Sequence, residues 1–167
     1  KECRVDYVYK SIHSCQQKIS CAMILSDILN KCLQEVSPYL YDFIASSFKN
    51  LDSQEKYPIG FKNLFLIKFC DIMGISPLNN FNDNTVLSLK EGRYVSTSSV
   101  LNKKDLVPLD ESRAIRLLSS IDYDELKNNL MEHSLNSSVF NHLIAYISIH
   151  LTDLTKLKSI KVLKEME

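Results

Sequence analysis

The stretch Tyr57–Gly74 reads YPIGFKNLFLIKFCDIMG. Phe61, Leu64, Phe65, Leu66, Ile67, Phe69, Cys70, Ile72 and Met73 make it apolar almost all round. A helix greasy on every side is the central helix of a bundle. Gly74 is placed to cap its C-terminus, and Pro77 follows where a helix cannot continue. Lys62 and Lys68 interrupt the run, and their simplest role is to snorkel to the surface from a buried stem.

The flanking segments supply amphipathic helices to surround it. From Lys18 to Leu33, Cys21, Leu25, Ile28, Leu29 and Cys32 follow i, i+4, i+7, i+8, i+11 and share one face. SPYLYDFIASSFKNLD opens with Ser37 as N-cap and Pro38 at the first helical position, with Leu40, Phe43, Ile44, Phe48 and Leu51 as its buried stripe. LDESRAIRLLSSI is a further helix with Asp110 as N-cap, and DYDELKNNLMEH continues from a fresh cap at Asp122 or Asp124. NSSVFNHLIAYISIHLTD carries Phe140, Leu143, Ile144, Ile147 and Leu151 on one face. CRVDYVYKSI, Cys3–Ile12, alternates loosely and reads as a strand or an extended lead-in. Ser76–Pro108 is rich in Asn, Ser, Asp and Thr, and within it VLSLKEGRYVS pairs two β-prone runs around Glu91-Gly92. These segments predict a mainly α protein, a helical bundle with a small β-hairpin insert. Residues 1–17 form the lead-in, and residues 18–167 a helical domain with its polar insert at about 76–108.

A length of 167 residues suggests one domain with a core large enough to need no staples. With 20 basic and 20 acidic residues, net charge gives no chain-wide case for nucleic-acid binding, so any such activity has to come from local patches. The five cysteines, Cys3, Cys15, Cys21, Cys32 and Cys70, are odd in number and nowhere spaced C-x-x-C. Several sit in apolar helical patterns, so a reduced, cytoplasmic setting fits. No apolar run is long enough to span a membrane, and no signal peptide is visible. The chain begins at Lys1 rather than Met, as a fragment would.

Reactive chemistry finds little footing. His142 and His150 lie two turns apart with Tyr146 between them, but no carboxylate sits at ligand spacing beside them. A metal-dependent helical enzyme would need an acid from elsewhere. Gly60, Gly74 and Gly92 are the only glycines, too scattered for a phosphate-cradling loop, and there is no G-x-S-x-G. Asp122, Asp124 and Glu125 lie at a helix start, where the macrodipole favours acids. No catalytic residue, metal or cofactor is therefore expected.

Surfaces remain. The tail TKLKSIKVLKEME, Thr155–Glu167, sets Lys156, Lys158, Lys161 and Lys164 within nine residues with no acid between them. Leu157, Ile160 and Leu163 can face inward. One reading is an ordinary solvated helix with cations near its C-terminus. The other is a cationic rim beside an apolar groove, suited to phosphates or to an acidic peptide with a hydrophobic end. Arg113 and Arg116, three apart, share a face of the Asp110 helix and are further binding candidates.

Three pieces carry a resemblance. YVYKSI followed by KISCAMILSDILNKCLQE, then FLIKFCDIMGISPLNNF, then HLTDLTKLKSIKVLKE, stand in the order and spacing of the C-terminal helical region of the bacterial recombination mediator family RecO. The chain resembles the branch without zinc cysteines, since Ser76–Pro108 holds no cysteine. The hairpin is then expected to hold by packing alone. The resemblance implies a non-enzymatic protein of recombinational DNA repair that binds and anneals DNA. It also implies the partners RecR and the acidic, phenylalanine-ended tail of the single-strand-binding protein SSB. The resemblance makes residues 1–17 a remnant of an N-terminal OB-fold domain missing here, through which most contact with single- and double-stranded DNA would run. The alternative is a purely structural α-helical adaptor that never touches nucleic acid.

Overall fold

The computed structural model describes residues 6–35, 37–97, 103–126 and 132–160. Six α-helices and one hairpin are defined among them: α1 (Gln16–Cys32), α2 (Pro38–Ser53), α3 (Phe61–Ile72), β1 (Thr85–Ser88), β2 (Arg93–Ser96), α4 (Leu109–Leu118), α5 (Tyr123–Leu126) and α6 (His133–His150). α3 is the axis, packing against α2, α4, α5 and α6. Phe61, Leu64, Phe65, Leu66 and Phe69 have no exposed surface at all. Surrounded this way, α3 has no solvent side at position 62. Lys62 is accordingly buried, with its ammonium 4.4 Å from the centroid of the Phe140 ring, and does not reach the surface as its sequence setting suggests. Lys68, near the other end of α3, is half-buried and meets Asp122 at 2.6 Å. The helix closes as a Schellman motif: Ile75 N–H bonds Cys70 O, Gly74 N–H bonds Asp71 O, and Gly74 takes φ +70°.

The other helices follow their stripes. Cys21, Leu25, Ile28, Leu29 and Cys32 are all buried on α1, as are Phe140, Leu143, Ile144 and Ile147 on α6. Ser37 caps α2, accepting from Leu40 N–H at 3.5 Å, with Pro38 as the first helical residue. α4 departs from expectation. Its N-cap is Pro108, and Asp110 lies inside the first turn, where it still meets the positive end of the dipole. The side chain that organises this end is Ser112, whose hydroxyl accepts from Leu87 N–H and donates to Val107 O, both at 3.0 Å.

That serine ties α4 to the insert. β1 and β2 pair antiparallel, Val86 opposite Val95 and Leu87 opposite Tyr94. Both faces are covered: Val86, Leu87, Tyr94 and Val95 are all buried. The other edge of β1 is closed by Asp105–Val107, through Leu89 N–H to Asp105 O, Val107 N–H to Leu87 O and a bridge from Ser88 to Leu106. α6 holds the turn. His150 Nε2 lies 2.7 Å from Leu89 O, and a Cβ added to Gly92, at φ +63°, would stand 3.1 Å from the Tyr146 hydroxyl.

The lead-in has no regular secondary structure from Asp6 to Lys10, so no strand forms there among the described residues, and it becomes a short 3-10 turn at Ile12–Ser14. It is fastened to the last turn of α2 by Asp52. The Asp52 carboxylate accepts the backbone N–H groups of Lys10 (2.9 Å), Ser11 (2.7 Å) and Ile12 (3.0 Å), and the Tyr7 hydroxyl at 3.3 Å. The Ser11 hydroxyl donates to Asp52 O, and the buried Lys18 ammonium donates to Ser11 Oγ (2.6 Å) and to Gln54 O. An acid at a helix C-terminus opposes the dipole, so Asp52 is held by its donors. Burial pushes its carboxyl upward, but the three N–H groups and Tyr7 outweigh that and hold it well below the usual carboxylate range.

Candidate functional site

Three helix C-termini meet at one end of the molecule. α1 stops where Leu33 turns extended, α3 stops at Gly74, and α6 stops with Leu151 and Thr152 N–H both on Ile147 O. The chain then folds back: Leu154 N–H bonds Ser148 Oγ at 3.1 Å and the Leu154 side chain is fully buried. These ends and the start of α2 enclose a cleft of about 500 Å³. Leu33, Tyr39, Leu40, Ile72, Met73 and Leu151 supply its apolar lining, with Glu35 and Ser37 among its polar residues. Tyr39 is 71% exposed, so part of this lining is open to solvent. The Cys32 thiol, also lining it, is pushed up to about 11 by burial despite nearby Lys31, which makes it a poor nucleophile.

Thr152 belongs equally to an adjoining notch of about 260 Å³, lined with it by Lys31, Asp153, Lys156 and Leu157. Asp153 Oδ1 accepts from the Thr155 hydroxyl (2.6 Å) and N–H (2.9 Å). Those bonds, joined by the charges of Lys156 and Lys31, hold its carboxyl below the usual range. The notch therefore already groups two ammonium ions around one carboxylate. The helix C-termini lining the cleft carry partial negative charge, which the same lysines offset.

The sequence-predicted binding residues do not converge. Lys156 lines the notch; Lys158 is exposed; Lys161 and Lys164 lie outside the described residues. Ile160 is buried and Leu157 half-buried, so the apolar side of this segment belongs to the core. Arg113 is exposed, with its guanidinium 3.8 Å from Asp110. Arg116 lines a separate cleft between α3, α4 and the insert. Lys31 is the cation that sequence reasoning missed. Its one signal is a basic residue in the last turn of α1. His142 is half-buried and held below its usual range by burial, with Glu111 opposing; His150 is engaged with Leu89 O and packs 4.3 Å from the Tyr146 ring. Among the described residues no three His, Cys, Asp or Glu side chains are grouped to hold a metal ion. Nor is any described helix long and apolar enough to cross a membrane.

Fold and surface define a mainly α protein whose distinguishing features are clefts and local charge. The chain belongs to the family described as Recombination protein O C terminal, which matches residues 16–160. It is similar to proteins named DNA repair protein RecO. That of Christiangramia forsetii is 28% identical over 171 residues, covering 99% of this chain and 69% of the relative. Those of Phocaeicola vulgatus (26%) and Porphyromonas gingivalis (24%) likewise cover 99% of this chain and 69% of their own length. The family is one of DNA repair and recombination. No solved structure matches the chain.

Proposed function

We propose that this chain is the helical part of a recombination mediator, working in DNA repair by binding and without bond chemistry. It docks partner proteins, RecR and the SSB tail among them, and contributes to holding and annealing DNA in the cytoplasm. The observation that carries the docking role is the apolar cleft opening directly onto Lys31 and Lys156. An acidic peptide ending in an aromatic residue has the matching chemistry: its ring enters between Met73, Leu40 and Leu151 while its carboxylates meet the two ammonium groups. The opposing field of the helix ends and Asp153 keeps the charge contribution modest, so most of the affinity is apolar.

Calorimetric titration with a short acidic peptide ending in phenylalanine, against a control ending in alanine, tests this. The expected result is binding of the first and a loss of at least about tenfold for the second, the worth of one buried ring. Equal binding of both peptides, or of neither, would refute the docking site. The formal net charge of zero favours a second reading, a structural adaptor without nucleic-acid contact. It predicts no anisotropy change with labelled single-stranded DNA at low salt.

A further inference from the structure

Arg116 stands in a smaller cleft of about 220 Å³, walled also by Lys68 and Asp71 of α3, Ser76, Tyr94 and Ser119. Its polar groups are unevenly committed. Lys68 is 2.6 Å from Asp122 Oδ1, the Ser76 hydroxyl donates to Asp71 at 3.3 Å, and the Ser119 hydroxyl donates to Ile115 O at 2.8 Å. Arg116 is half-buried, yet among the described residues it forms no ion pair. Arg113, one turn earlier on the same helix, is instead close to its acid, Asp110. A guanidinium keeps all its N–H donors and its charge at any physiological pH, so one left half-desolvated without an ion pair, even with Asp71 in the same cleft, can take an anion with several acceptor oxygens.

We propose that this cleft receives a backbone phosphate of a nucleic-acid strand. Arg116 offers its planar fork to two phosphate oxygens and carries the contact, since Lys68 on the facing helix is held by Asp122 and the Asp71 carboxylate shares the cleft. The small volume and mixed walls suit a single phosphate group better than a peptide segment, which needs a longer apolar trough. Such a contact positions a strand without reading its sequence. It also gives a formally neutral chain a local means of holding DNA. The inference rests on the DNA-repair reading above and assigns the strand to a place distinct from the peptide cleft.

Anisotropy titration of a labelled oligothymidine with the full chain, at several salt concentrations, decides it. Arg116→Glu should weaken binding roughly tenfold and reduce the salt slope by about 1. Arg116→Gln should weaken it about threefold with an unchanged thermal midpoint, and it serves if the glutamate variant does not fold. Arg113→Gln should stay within about twofold of the parent. Parental affinity in both Arg116 variants, or no binding by the parent chain at low salt, overturns the inference. So does an Arg116→Glu variant that loses the acidic peptide while keeping the oligothymidine, since a carboxylate would then be the occupant. Because the peptide titration reads the other cleft, its failure and the failure of the phosphate site are separable.

Discussion

Asp52, which clamps the start of the described chain, and Asp153, near its end, each lie close to lysines, and they are finished in opposite ways. Asp52 is buried and surrounded by donors from Tyr7, Lys10, Ser11 and Ile12, and the adjacent Lys18 ammonium is itself absorbed by Ser11 and Gln54. The polar groups of this clamp are taken up within the fold. Asp153 is exposed, its hydrogen bonds among the described residues come from Thr155, and its two neighbouring lysines line an open notch. The difference shows how polar residues divide between structure and recognition. Saturated, desolvated groups hold the fold, whereas groups with spare donors at the edge of apolar surface are available for docking.

The contrast can be broken most forcefully at Asp52. Replacing it by alanine orphans three backbone N–H groups and should cost about 3 kcal/mol of unfolding free energy, read from urea denaturation. A loss below about 1 kcal/mol would show the clamp to be ornamental. The same group gives a pH signature. Because its folded carboxyl titrates below the ordinary value, its contribution is complete above about pH 4 and is lost as pH falls toward the depressed value. Unfolding midpoints of the parent chain should therefore fall in acid, and Asp52→Asn should flatten that limb.

Asp153 should behave in the reverse sense. Lys156→Glu is expected to weaken the acidic peptide roughly fivefold while changing stability by less than about 0.5 kcal/mol. A large stability loss instead would mean that the Lys156 stem is part of the core. The smallest effect sharpens the comparison furthest. Asp153→Asn removes the carboxylate that competes for Lys31 and Lys156, so peptide affinity should rise about twofold, measured in the same titration. A fall in affinity would indicate that Asp153 orders the notch rather than occupying it.

Legibility in the sequence followed the range of the interaction. α3 was plain because its all-round apolarity is a local pattern, and Ser37-Pro38 and Gly74 were plain because caps act within a few residues. The Asp52 clamp joins residues some 40 positions apart, so YVYKSI was recognisable as a segment while its anchor was not. The insert looked polar because its hydrophobic residues are few. Their burial on both faces of β1 and β2 depends on α4, α6 and the Asp105–Val107 edge. Lys62 was misplaced because snorkelling needs a nearby solvent side, and the neighbours of α3 remove it. Of the charged surface, Lys156 was visible in its cluster, but its partner Lys31 comes from a helix more than a hundred residues earlier.

The grip on residues 10–12 has a mechanical consequence. A pull applied at Asp6 is delivered through Asp52 to the end of α2 before the first turn of α1 bears any load, because those amides are anchored ahead of Gln16. Three bonds converging on one carboxylate share the strain in parallel, so they yield together rather than peeling one after another. A tug on this stretch of chain would thus load the C-terminal end of α2 first, the opposite end of that helix from the residues that line the cleft.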